Sequence, residues 1–253
     1  MNFGSARVEG LEISVLQEGI YDMLANRTIS SGDSMSGLCR GITHRYAGWR
    51  RYVKRLGDLC LGIPLLIMAL PLMLFVGLII KTVDPGPALF TQIREGYAGR
   101  PFRLYKLRSM VTDADRRLSE HLRRDPEACR QWNTYMKLNP DPRVIPVIGA
   151  FIRRFSLDEL PQIWNVVCGD MSLVGPRPLP DYHLNRFEID FVNLRRSMPP
   201  GITGLWQVSD RSNNTLDKLQ LLDTYYVESW SLGTDVRIMI RTAVVVLSGK
   251  GAY

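Results

Sequence analysis

Residues Leu59–Ile80 read LCLGIPLLIMALPLMLFVGLII, an apolar run without a single charge. About 20 such residues are enough to cross a bilayer as a helix, so length permits a span. Two features argue for a different path. Pro64 and Pro71 each remove a backbone donor and disfavour straight helix continuation. Basic residues stand at both ends, Arg50, Arg51, Lys54 and Arg55 before the run and Lys81 after it, so the cytoplasmic bias of cations gives neither end a reason to lie outside. A helix-break-helix that enters and leaves on one face meets both observations. A kinked single span is the alternative the same residues allow. A core helix fits less well, because nearly every face is apolar.

Outward from this run, the 253-residue chain has room for one domain with its own core plus a membrane element and a tail. Composition divides it into an N-terminal extension (residues 1–49), the basic collar with its apolar run (50–83), and an ordinary mixed globular stretch (84–253) that opens on the turn Asp84-Pro85-Gly86-Pro87. The extension offers a helix-like segment at Leu11–Asn26 and a linker-like Ser30–Ser34, and no chemistry. A formal net charge of +7 implies an anionic partner: nucleic acid, lipid headgroups or a phosphorylated substrate. Nucleic acid is set aside, since the positive charge is scattered and no recognition motif accompanies it. The four cysteines form no CxxC pair and only three histidines could join them, so neither a disulfide framework nor a zinc site is indicated. No secretory signal is legible, and the chain is expected to stay on the cytoplasmic side.

Within the globular stretch, Ala88–Arg94 and Phe102–Leu107 read as the strands of a β-hairpin across a glycine-containing loop. Arg103, Lys106 and Arg108 on the second strand are explained first as a solvated outer face, and second as contacts to an acidic substrate. Thr112–Arg124 reads as a solvated helix, Leu216–Trp230 as a helix, and Asp235–Leu247 as an apolar helix opened by Thr234. The expected class is α+β: a re-entrant membrane helix feeding a compact, largely helical domain with a small hairpin or sheet.

The chemistry concentrates in Arg153–Pro178, RRFSLDELPQIWNVVCGDMSLVGPRP. Arginines before an Asp158-Glu159 pair, and a rigid Gly-Pro-Arg-Pro loop after it, suggest phosphate chemistry. A carboxylate can attack phosphorus while guanidinium forks hold the phosphate oxygens. Two structural roles compete for the pair. Ser156-x-x-Glu159 has the form of a helix capping box, and Asp158 could itself cap a helix with Pro161 near its start. Adjacent helical positions point about 100° apart, so the two carboxylates are expected to divide their roles.

Taken in order, KRLGD (Lys54–Asp58), the proline-broken apolar run, PGPALFTQIREG, FRLYKLRSM, SLDELPQIWNVVCGDMSLVGPRP and PGITGLWQVSDR (Pro200–Arg211) closely resemble the bacterial sugar transferases that act as polyprenyl-phosphate hexose-1-phosphate transferases. The resemblance runs from about Arg51 to the end of the chain, and favours the short enzymes that initiate exopolysaccharide synthesis with galactose 1-phosphate. It implies a monotopic enzyme at the cytoplasmic face of the bacterial inner membrane. There it would move hexose 1-phosphate, galactose or glucose, from a UDP-hexose to undecaprenyl phosphate and release UMP. It places the nucleophile on Asp158 and the second carboxylate on Glu159, the pair also serving Mg²⁺, with phosphate contacts at Arg153, Arg177 and Arg211 and lesser candidates at Lys106, Gln207 and Asp170. Membrane lipid is the implied surface, contacts with later glycosyl transferases stay open, and an inactive membrane-docked scaffold is the alternative.

Overall fold

The computed structural model describes Tyr46 and residues 48–135, 138, 140–209 and 216–248. The helix-like segment Leu11–Asn26 and the candidate Arg211 lie outside the described residues.

Helix α1 (Trp49–Val83) carries the apolar run, and its helical conformation continues through both Pro64 and Pro71. The expected non-helical break is therefore absent, and any change of direction is a proline bend within one helix. At 1.5 Å per residue α1 is about 52 Å long, far more than a hydrocarbon core of about 30 Å requires. Its buried residues, Lys54, Asp58, Gly62, Ala69, Val76, Gly77 and Ile80, fall mostly at spacings of three, four or seven, one or two helical turns, and so share one face. Leu61, Ile67, Met68, Leu74, Phe75 and Leu78 remain exposed. Packing contacts thus hold α1 near both of its ends while its other faces stay apolar and open. It is the one helix among the described residues long and apolar enough to cross a membrane.

The hairpin follows, with β1 (Leu89–Glu95) antiparallel to β2 (Pro101–Leu107), and Phe90 opposite Lys106, Gln92 opposite Leu104 and Arg94 opposite Phe102. Phe102 and Leu104 are buried, so the face they share with Gln92, Arg94 and Lys106 is the inner one; Arg103 points to the exposed face. Helix α2 (Ala114–Arg124) buries no residue, as its charge pattern anticipates. In α3 (Pro126–Tyr135), Asp125 caps the start through its Oδ1, which accepts from the Glu127 and Ala128 N–H groups.

Helix α4 (Ile148–Arg154) leads through Ser156, held in the left-handed region at φ 54°, to a single 3₁₀ turn, Leu157–Glu159. Helix α5 (Gln162–Cys168) comes next and is closed by Gly169 at φ 95°. Strand β3 (Ser172–Val174) pairs in parallel with β4 (Gly201–Thr203), which requires the crossover formed by α6 (Asp181–Leu184) and α7 (Ile189–Arg196). The chain finishes with α8 (Leu205–Val208), α9 (Leu216–Glu228) and α10 (Leu232–Ser248). Helix α10 begins earlier than the sequence suggests because Ser231, not Thr234, is the cap: its Oγ accepts from the Thr234 N–H at 3.1 Å. The described residues are mostly helical with two small two-stranded sheets.

Two anchors fasten α1 to this body. Near its C-terminal end, Val76 and Ile80 join Leu107, Val111, Ile145 and Ile152 in a core cluster on which Leu157 packs. Near its N-terminal end the anchor is polar. Lys54 Nζ donates to Asp235 Oδ2 at 2.6 Å, and Asp58 Oδ1 accepts from Ser172 Oγ and the Leu173 N–H at 3.0 Å each. Arg55 Nη2 donates to the Val167 carbonyl at 2.8 Å, at the C-terminal end of α5. Asp235 also accepts from Tyr226 Oη at 2.8 Å and Trp230 Nε1 at 3.1 Å, so one carboxylate ties α1 to α9 and α10.

Candidate active site

Neither capping role exists. Ser156 makes no side-chain cap, and α5 starts after Pro161 without one, which leaves both carboxylates of the 3₁₀ turn for other partners. Glu159 Oε1 accepts from Lys106 Nζ at 2.9 Å and from Arg177 Nη2 at 2.9 Å. Asp158 Oδ2 lies 3.7 Å from the same Lys106 nitrogen. All these side chains are at least two-thirds buried. The first explanation of the β2 cations is thereby overturned for Lys106, which sits on the inner face over the dyad. It fails for Arg108 too, a buried side chain bonded to Asp84 Oδ2 at 2.7 Å; it holds for Arg103.

The two carboxylates differ electrically. Burial works to raise the pKa of Glu159, but Arg177 and Lys106 outweigh it and hold the group well below the usual carboxylate range. For Asp158 burial wins: Lys106, 3.7 Å away, with Arg153 and Arg177 pulls down, the adjacent Glu159 pushes up, and the pKa is raised. Glu159 is thus a fixed anion locked to two cations. Asp158 holds the more basic and less engaged oxygens.

The scaffold explains how each group arrives. Asn165, fully buried on α5, donates to the Arg103 carbonyl at 2.7 Å and accepts from the Tyr105 N–H at 3.2 Å, clamping β2 so that Lys106 projects over the turn. Arg177 follows Gly175, whose Cβ would lie 2.4 Å from the Pro199 carbonyl oxygen; a Cβ on Gly201 would lie 2.0 Å from the Gly175 nitrogen. The Gly-Pro-Arg-Pro and Pro-Gly-Ile-Thr-Gly loops therefore touch backbone to backbone, and only glycine fits. Buried Arg195 donates to the Arg177 carbonyl and pairs with Asp223 at 3.2 Å, and the Arg177 guanidinium lies 6.0 Å from the Trp206 ring centre.

The expected site residues separate into groups. Asp158, Glu159, Lys106 and Arg177 come together, and Arg153, in the last turn of α4, acts on Asp158 through its charge. Gln207 is buried and donates to the Ile202 carbonyl at 3.4 Å, where it braces β4. Asp170 accepts from Asn165 Nδ2 at 3.2 Å and belongs to the clamp. Sequence reasoning missed Asn165, Arg195 and Trp206; the last is adjacent to Gln207 and offered a signal only through the loop it follows.

Asp158 Oδ1 and Glu159 Oε2 accept no hydrogen bond among the described residues, and no group of three acidic, histidine or cysteine side chains gathers there. That donor set does not make an all-protein metal cage. It does fit a magnesium ion that takes one or two carboxylate oxygens and completes its shell with phosphate and water.

A buried carboxylate pair unequally loaded by cations sits on a body with an open apolar helix, an arrangement whose chemistry suits a phosphate and whose surface suits a bilayer. Residues 49–249 match the bacterial sugar transferase family, and the chain belongs to it. It is 45% identical over 203 residues to the undecaprenyl-phosphate galactose phosphotransferase of Salmonella typhimurium, covering 80% of this chain and 42% of that protein. It is 39% identical over 200 residues to the exopolysaccharide production protein ExoY of Sinorhizobium fredii, covering 79% and 88%. It is 38% identical over 207 residues to the UDP-glucose:undecaprenyl-phosphate glucose-1-phosphate transferase of Xanthomonas campestris pv. campestris, covering 79% and 40%. The chain thus spans about two fifths of the Salmonella and Xanthomonas relatives and most of the Sinorhizobium one.

Proposed function

We propose that this protein transfers hexose 1-phosphate, galactose or glucose, from a UDP-hexose to undecaprenyl phosphate, releasing UMP and starting an exopolysaccharide repeat unit. The observation that carries the mechanism is the inequality of the dyad. Glu159, neutralised by Lys106 and Arg177, is a poor nucleophile, whereas Asp158 has a raised pKa and loose partners. An Asp158 carboxylate oxygen attacks the β-phosphorus, the bond from that phosphorus to the bridging oxygen breaks, and UMP leaves with the electron pair. An oxygen of undecaprenyl phosphate then attacks the same phosphorus and expels the carboxylate, which regenerates Asp158. Arg177, Lys106 and Arg153 hold the phosphate oxygens and offset their charge, and Arg211 is assigned to the same task by its motif alone. Magnesium, held by Asp158 and Glu159 with the substrate phosphates, would add neutralisation of that charge.

The same reading makes residues 50–83 a re-entrant element and 84–253 the catalytic domain, at the cytoplasmic face of the inner membrane, within reach of later glycosyl transferases. What supports it is that α1 carries packing contacts with one body near both ends, so neither end is free to lie across a bilayer from it. Single cysteines at Trp49→Cys and Val83→Cys, in an otherwise cysteine-free chain, test this in sealed vesicles: labelling from one side only is expected, and opposite sides would make α1 a span. The reaction is tested by UMP release from a panel of UDP-sugars with magnesium and undecaprenyl phosphate. Release by the wild type and none by folded, membrane-bound Asp158→Asn is expected. No release by the wild type with any donor points to the scaffold.

A further inference from the structure

We propose that Arg94 is a further substrate-binding residue, a guanidinium that donates to no carboxylate among the described residues and so can take a phosphate of the reacting substrates. The inference rests on the transfer reading and extends its site to β1. Arg94 alternates with Gln92 on the inner face of the hairpin, the face that also carries Lys106, four residues further along the ladder or about 13 Å by strand spacing. The charges that act on Arg94 are those of Arg177 and, at the start of α6, Asp181 and Tyr182, which puts it within electrostatic reach of the Arg177 guanidinium.

Its bonding is what marks it out. Nη2 donates to Gln92 Oε1 at 2.7 Å, while Nε and Nη1 are buried and have no acceptor among the described residues. Asp181, exposed to solvent, is near enough to be felt and accepts no bond from it. A guanidinium buried without an anion is costly, and burial pulls the pKa of this one down to about 10. The two arginines buried outright among the described residues have found carboxylates: Arg108 pairs with Asp84 and Arg195 with Asp223, whereas the half-buried Arg94 has not. The charge balance at the dyad points the same way. Lys106, Arg177 and Arg153 act on Asp158 and Glu159, and Arg94 feels Arg177, so cations outnumber the carboxylates of the dyad, a surplus that suits the two negative charges of a nucleoside diphosphate sugar. We assign the contact to the nucleotide's diphosphate, with the lipid phosphate as the second source of the same chemistry.

The test compares wild type, Arg94→Gln and Arg94→Lys as full chains in lipid nanodiscs, following thermal unfolding alone, with UDP and with undecaprenyl phosphate. Because Arg94 donates to no carboxylate among the described residues, ligand-free Arg94→Gln should unfold at the wild-type temperature or above. Its UDP affinity, read from the ligand-induced shift, should fall about tenfold or more, with partial recovery in Arg94→Lys. Loss of the undecaprenyl phosphate shift with the UDP shift intact would assign the arginine to the acceptor and overturn the nucleotide assignment. A lowered ligand-free unfolding temperature with both shifts intact would make Arg94 structural. UDP binding by a wild type that transfers nothing would sink the reaction and leave the Arg94 contact standing; equal UDP affinity in wild type and Arg94→Gln would do the reverse.

Discussion

Replacing Lys54 by methionine tests the polar anchor that joins α1 to the body. Lys54 and Asp235 meet at 2.6 Å with side chains 3% and 8% exposed, so the change leaves a carboxylate buried without its cation. Removing one partner of such a pair costs about 3–5 kcal/mol. Asp235 keeps two neutral donors, Tyr226 Oη at 2.8 Å and Trp230 Nε1 at 3.1 Å, which places Lys54→Met at the lower end, about 3 kcal/mol. Asp235→Asn should cost no more than this, because the amide oxygen can still accept from Lys54 and Trp230, the amide nitrogen can donate to the Tyr226 hydroxyl, and Lys54 keeps the charge of Asp58 nearby. For a domain of this size about 3 kcal/mol lowers the unfolding temperature by roughly 6–12 °C. The double variant, with neither charge, should be less destabilised than the sum of the singles. The assay is thermal unfolding in nanodiscs followed by tryptophan fluorescence, to which Trp230 contributes. A shift below about 2 °C for Lys54→Met, or strict additivity in the double variant, would refute the claim that this buried pair anchors the helix.

The pH dependence of the first chemical step follows from the dyad. Only the carboxylate form of Asp158 attacks, and burial raises its pKa, so single-turnover UMP release should fail on acidification earlier than an ordinary aspartate would allow. Lys106 opposes that rise; Lys106→Met should therefore move the acid limb to higher pH, and a downward move would contradict the assignment. Gly175→Ala forces a methyl group against the Pro199 carbonyl oxygen and the Gly201 nitrogen, 2.4 and 2.8 Å away. It should displace Arg177 and cut turnover by about 100-fold, and wild-type turnover would show that the two loops need no such contact.

Much of the fold was legible because its signals are local. The apolar run, the hairpin and the solvated α2 follow from composition and period, and the observed hairpin, Leu89–Glu95 with Pro101–Leu107, differs from the expected one by single residues. Pro64 and Pro71 misled as breaks, since a proline lost from the donor ladder bends a helix without ending it. At the site the difficulty was one of kind. Ser156-x-x-Glu159 reads as a cap, and only the left-handed Ser156 and the arrival of Lys106 and Arg177, distant in sequence, show that Glu159 has other partners. Lys106 and Arg103 are indistinguishable as strand cations until the register fixes which faces inward, and the same register exposes Arg94. Arg195 and Asp223 meet from separate helices, a long-range pairing that no spacing rule announces.

The measurement that bears most directly on the central claim is the intact mass of the purified protein after incubation with UDP-galactose or UDP-glucose, magnesium and no lipid acceptor, followed by peptide mapping. The account predicts an added hexose phosphate on Asp158, absent from Asp158→Asn and discharged on adding undecaprenyl phosphate. UMP release with no adduct, or an adduct that maps to Glu159, would contradict it.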